Sequence, residues 1–225
     1  MFLGIKMIKK IVLSCLFCLI SIPSFANSLL GWEELSAKAK TELKSENIDK
    51  KLFKQIISGK IVTVHRTVPS GKTGVHVAAF GIINGTTDLT YNVIEDCQKL
   101  KEFMPHFTSC KEQKPDTKLP DNEKWMENTL TFGFSLIKFD VSIVQHVSYN
   151  PPYKLSWDRV RGDMKVNEGY YRIIPLTKNK QLLVYDILSD VGRAVPGFIQ
   201  SMLTEQDLPN VVKALQKRVE EKTIN

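Results

Sequence analysis

The chain has 225 residues, 43% hydrophobic and 24% charged, which excludes a disordered or collagen-like chain and a polytopic membrane protein. Its formal charge is +7, but the first 26 residues contribute Lys6, Lys9 and Lys10 and no acid. Without them 28 basic face 24 acidic residues, a balance of +4 and too weak a field to point to nucleic acid.

Residues 1–26 have the three parts of a secretory signal peptide: the lysines, the apolar run Ile11–Ile20, and Ser24 and Ala26 at the −3 and −1 positions of a cut. The run is shorter than the roughly 20 residues that span a bilayer. The expected mature protein starts at Asn27 and is periplasmic or secreted. Two cysteines, Cys97 and Cys110, then remain, 13 positions apart. An even pair in an oxidising compartment reads as a disulfide between a helix end and the next strand. Two buried free thiols are the alternative. No cysteine or histidine spacing suits a metal, and the sequence calls for no cofactor.

Residues 27–58 read as a helical extension: an amphipathic helix from Trp32 to Leu43 and a further turn between Ile48 and Ile57. Lys38, Lys40, Lys44, Lys50 and Lys51 make it basic, which suits transient contact with an anionic membrane surface as well as a solvated face. From residue 59 the period changes. Ile61–Arg66 and Val75–Ile83 read as strands, and Thr86-Thr87-Asp88 caps a helix from about Leu89 to Met104 that Pro105 stops. Strands follow at Phe107–Lys114, Trp125–Phe134, Ile137–Ile143 and Leu155–Arg161, then a hairpin of Gly169–Ile174 with Leu182–Leu188. The chain ends in a long amphipathic helix from Pro196, kinked or restarted at Pro209 with Asp207 as cap. The expected fold class is α+β: a curved antiparallel sheet closing on its C-terminal helix, with a cavity between them.

Four stretches resemble the START-like SRPBCC superfamily, whose helix-grip fold serves polyketide-cyclase-like, lipid-transfer and coenzyme-Q-binding proteins. Tyr91–Pro105 is similar to its short helix with an acid and a Phe-x-Pro stop. Gly169–Pro175 resembles its glycine–aromatic strand. Tyr185 followed by Val195–Phe198 resembles the run into its last helix, and Leu208–Arg218 that helix's end. The resemblance covers about residues 60–220 of an expected domain of residues 59–225 and implies a deep apolar cavity holding a lipid, a quinone-like or a polyketide-like molecule.

Such a cavity takes its wall from alternate strand residues and the last helix. The candidates are Asn128, Leu130 and Phe132 on one strand and Phe139, Val141 and Ile143 on the next. Trp157 and Arg159 follow, with Arg161 beyond them, then Tyr171 and Tyr185, and Phe198, Met202 and Leu203 on the last helix. An arginine in an apolar pocket pairs a phosphate or carboxylate; tyrosine hydroxyls orient a headgroup. Each has a plainer reading as core or surface. His65, His76, His106 and His146 are scattered and read as structural. No nucleophile–base pair is visible, so a non-catalytic carrier of a hydrophobic small molecule is the leading expectation. A cyclase- or dehydratase-like enzyme using Tyr171, Tyr185 or His146, and a protein-interaction module with a filled core, are the alternatives.

Overall fold

The computed structural model describes residues 30–134, 137–192 and 207–224. Eight strands form one antiparallel sheet: β1 (Val62–His65), β2 (Val75–Asn84), β3 (Phe107–Gln113), β4 (Glu123–Phe134), β5 (Ile137–Asn150), β6 (Lys154–Gly162), β7 (Val166–Thr177) and β8 (Lys180–Asp190). Their spatial order is β1-β2-β8-β7-β6-β5-β4-β3. Consecutive strands are joined by hairpins except where β2 pairs with β8, which brings the chain's two halves together. The helices are α1 (Ala37–Ser45), α2 (Lys50–Ile57), α3 (Thr87–Glu95), α4 (Cys97–Leu100) and α5 (Asp207–Ile224).

The helices begin where short polar side chains satisfy free backbone N–H groups. Ser36 accepts from the Ala39 amide, Asp49 from Leu52 and Thr86 from Leu89. The helix expected over Leu89–Met104 is broken. Asp96 leaves helical geometry at ψ 72°, ending α3 and opening the single turn of α4, whose Cys97 is bonded to Cys110 on β3. Trp32–Glu34 is a 3₁₀ turn separate from α1. Pro209 falls in the first turn of α5, where a missing N–H costs nothing. The part of the expected helix before Asp207 lies outside the described residues.

Alternation sorts β2 and β8 between two cores. Val77, Ala79 and Ile83 of β2 and Leu183 and Ile187 of β8 face inward, against Leu208, Val211, Val212, Leu215 and Val219 of α5. Ala78, Phe80 and Ile82 of β2 and Leu182 and Val184 of β8 face outward, against Leu43, Ile48, Phe53, Ile56 and Ile57 of the N-terminal helices. The extension is thus packed on the sheet's outer face. Gly81 sets the fit on the inner side: a Cβ there would lie 2.5 Å from a methyl of Val212, so α5 rests directly on bare backbone.

The extension is also clasped by buried charge. Glu46, between α1 and α2, is 4% exposed. It takes Arg66 Nη2, Arg172 Nη1 and the Tyr170 hydroxyl, each at 2.8 Å. Arg66 also pairs with Asp186 at 3.0 Å, and His76 Nε2 meets the same carboxylate at 2.9 Å. Burial pushes the Glu46 carboxyl up, but its bonds from Arg66, Tyr170 and Arg172 outweigh that and hold it below its ordinary 4.5. A group lowered on folding contributes stability above its unfolded value and loses it as pH falls through the folded one. The clasp is therefore fully formed at neutral pH and fails in acid below about 4.5. Glu46→Ala leaves Arg66 and Arg172 without their shared partner and is expected to cost about 3–5 kcal/mol in chemical denaturation at neutral pH. The gap between variant and parent should narrow as the medium is acidified below that range.

Candidate functional site

Between the inner face of the sheet and helices α3, α4 and α5 lies a cavity of about 150 Å³. That volume holds a benzene-sized group when the walls are apolar. Ile94, Leu100, Met104, Met126, Leu130, Ile143, Val147, Leu155, Ile187 and Val211 make the wall mainly hydrocarbon.

The aromatic end comes from three adjacent strands. The rings of Tyr171 and Tyr185, paired across β7 and β8, stack at 4.7 Å and 14°, and Trp157 of β6 lies 5.4 and 6.0 Å from them. Gly169, opposite Trp157, permits this: its Cβ would fall 2.8 Å from the indole. Burial drives both tyrosines far above the ordinary phenol range, so they stay neutral hydroxyls at any physiological pH. Tyr149, also in the wall, is pushed up to about 12 chiefly by burial.

A second group of wall residues is polar and directional. Asn128 on β4 donates from Nδ2 to Gln145 Oε1 on β5; Gln145 Nε2 donates to Asn167 Oδ1 on β7; Asn167 Nδ2 donates to Met164 Sδ at 3.5 Å. At the start of β3 the His106 ring lies on Phe132 at 4.7 Å, with the His106 backbone at φ 60°. Its Nδ1 is 3.3 Å from the Thr131 carbonyl, which only accepts, so Nδ1 carries the hydrogen. Nε2 then faces Asp207 Oδ2 at 3.2 Å. Burial pushes the Asp207 carboxyl above its usual 3.8, and the imidazole opposes this. Glu95 is raised likewise, by burial and then by Asp96. His106 and Asp207 form a half-buried pair on the cavity wall with a proton position between them. Among the described residues no three His, Cys, Asp or Glu side chains come together to hold a metal.

Asn128, Leu130, Ile143, Trp157, Tyr171 and Tyr185 do line the cavity. Phe132, Phe139 and Val141 do not: they pack with Met164 and Val191 in a small core of their own, farther along β4 and β5. Arg159 also stays out. It sits at a register slip opposite Gln145 and donates from Nη2 to the Gly162 carbonyl at 3.0 Å. Arg161 is exposed, 5.4 Å from the Trp125 ring. Phe198, Met202 and Leu203 lie outside the described residues. Sequence reasoning missed Gln145, Asn167, His106 and Asp207. Gln145 had a signal, because it continues the alternation of Val141 and Ile143. His106 had none, since only the fold brings Asp207 to it. The other expected base, His146, lies on the opposite face of β5, between the wall residues Gln145 and Val147, and meets Glu123 at 2.7 Å.

A curved antiparallel sheet gripping a C-terminal helix over a lined cavity defines the helix-grip, START-like class. The model of the polyketide cyclase / dehydrase and lipid transport family matches residues 83–216, more than half of the chain, and the protein belongs to that family. Among solved structures, a STAR-related lipid transfer protein from Xanthomonas axonopodis is 16% identical, with a TM-score of 0.56 over 71% of this chain and 93% of that one. A START superfamily protein from Mycobacterium smegmatis is 19% identical, with a TM-score of 0.53 over 65% and 97%. The Zhui aromatase/cyclase from Streptomyces sp. R1128 is 13% identical, with a TM-score of 0.53 over 66% and 94%. At these identities the likeness is one of fold. No curated protein matches the sequence.

The Cys97–Cys110 bond, with Cα atoms 5.7 Å apart, joins α4 to β3, and both cysteines are wall residues. Replacing both with serine frees a loop of 13 residues. The expected cost is about 3 kcal/mol, read as a lower midpoint in denaturant against the oxidised parent. Reductant should lower the parent to the variant's midpoint and leave the variant unmoved.

Proposed function

We propose that the protein is an exported carrier that binds a hydrophobic small molecule in the cavity between sheet and helices. The single observation behind this is the cavity itself: a largely hydrocarbon wall, with a ring stack at one end and a few placed polar groups, is how small-molecule sites are built. Family membership supports ligand binding of this kind. Affinity would come from buried apolar area, about 25 cal/mol per Å², with the polar groups fixing orientation. At 150 Å³ the cavity encloses a ring or short chain; a longer molecule would extend through the mouth. The signal-like pattern of residues 1–26 is what supports export, and the lysines of α1 and α2 would let the carrier touch anionic membrane on the way.

A second reading, acid–base catalysis on the bound molecule, is favoured by the His106–Asp207 pair. A carboxyl raised by burial and sharing a proton position with an imidazole is suited to move a proton at a ligand carbon or hydroxyl. It places the acid and base elsewhere than the expected Tyr171, Tyr185 and His146; burial pushes both tyrosine hydroxyls up, which suits them to donate hydrogen bonds.

Native mass spectrometry of the protein recovered from the periplasm tests both readings. The expected polypeptide begins at Asn27 and carries an extractable apolar molecule. Leu130→Trp, which pushes bulk from the wall into the free space, should cut uptake of an apolar probe by about tenfold or more with the fold intact by circular dichroism. Unaltered uptake by that variant would move the ligand out of this cavity. A β-hydroxy ketone probe released with loss of water by the parent, but intact by Asp207→Asn, would make the protein an enzyme.

A further inference from the structure

Besides Asp207 Oδ2, which faces His106, the cavity wall has two buried polar atoms without a hydrogen-bond partner among the described residues. Asn128 commits Nδ2 to Gln145 and leaves Oδ1 bare; Trp157, 8% exposed, leaves its indole Nε1–H bare. Buried polar atoms are almost always paired, because an unpaired one forfeits its hydration. One of these is an acceptor lacking a donor, the other a donor lacking an acceptor. They lie at different places on the wall. Asn128 pairs with Ile143 and Trp157 with Val147, four residues farther along β5, or about 13 Å. Between them Gln145 and Asn167 are already committed to each other.

The charge of the wall narrows the ligand further. Its described residues include two carboxyl groups, Glu95 and Asp207, and one imidazole, but no lysine or arginine. Burial already pushes both carboxyls toward their neutral forms. Among the described wall residues a phosphate or carboxylate meets no guanidinium or ammonium, and any ionised Glu95 or Asp207 repels it. The ring stack of Trp157, Tyr171 and Tyr185 offers flat apolar surface instead.

We infer that, within the carrier reading, the cavity selects an uncharged, ring-containing molecule with a hydroxyl. The hydroxyl donates to Asn128 Oδ1, the ring lies against the aromatic stack, and a second oxygen on a larger ligand accepts from Trp157 Nε1. Phospholipids and fatty acids are poor ligands by the same logic.

Three probes of one shape test this on the protein purified after export of the full chain: naphthalene, naphthol and naphthoate, compared by equilibrium dialysis. Naphthol should bind at least about tenfold tighter than either of the others, as expected when a buried acceptor gains its only donor. Asn128→Leu, close in shape but lacking the acceptor, should bring naphthol down to the naphthalene level while naphthalene is held as before. Naphthalene binding retained by Asn128→Leu shows that the variant is folded, and Arg161→Gln, exposed and outside the wall, should leave the naphthol preference in place. Equal binding of naphthol and naphthalene by the parent would mean that water satisfies Asn128, and overturns the inference while the carrier reading stands. Naphthoate binding tightest overturns it through charge. No uptake of any of the three removes the carrier reading on which the inference rests.

Discussion

An α-helix with its side chains is about 10 Å wide, whereas eight hydrogen-bonded strands span roughly 34 Å between their edges. No single helix can cover such a sheet, and the architecture follows from that mismatch. The 18 residues of α5, about 27 Å long, lie along β2, where Gly81 admits Val212 to the backbone. Among the described residues, α3 meets β6 and β7 and the single turn of α4 meets β3. Curvature brings the far strands back toward the helices without filling the gap, and the remaining space is the cavity. A fold that buried its inner face completely would have nowhere to hold a ligand.

The other face of β2 and β8 has the opposite problem. Both strands are apolar on both sides, unusual for an antiparallel sheet, which often leaves one face to water. Here α1 and α2 take the outer face, joined through Glu46 to arginines on either side. Such a buried charge cluster adds little net stability over an apolar replacement, yet losing one member strands the others. Its value is register: the extension is held at one place on the sheet, because only there do Arg66, Tyr170 and Arg172 converge on one carboxylate.

Much of the architecture was legible in the sequence because period-two and period-3.6 patterns are local. The alternation of Ile137 to Ile143 and the Thr86 cap needed no knowledge of distant residues, and the disulfide followed from an even pair. The break at Asp96 was not legible, since the apolar spacing runs through it. The site was read in part. Parity placed Asn128, Leu130, Ile143, Trp157, Tyr171 and Tyr185 on the correct face. It could not say how far along each strand the cavity extends, so Phe132, Phe139 and Val141 were included although they lie beyond its end. Arg159 has the right parity and pairs with Gln145, but its guanidinium turns to the Gly162 carbonyl instead of the cavity. His106 and Asp207 are a hundred residues apart and meet only because α5 returns past the start of β3; periodicity carries no trace of such a meeting.

The boundaries of the family match and of the folded unit differ, and this matters for anyone cutting the gene. The matched span begins at residue 83, at the very end of β2. A fragment trimmed to it would lose β1, nearly all of β2 and both N-terminal helices. It would uncover Leu182, Val184 and Ile174 on one side of the sheet and the seat of Val212 and Leu215 on the other. β8 would become an unprotected edge, apolar on both faces and open to pairing with another chain. The sequence family ends where similarity fades, but the smallest piece of this protein with a covered sheet starts some fifty residues earlier, at the first turn before α1.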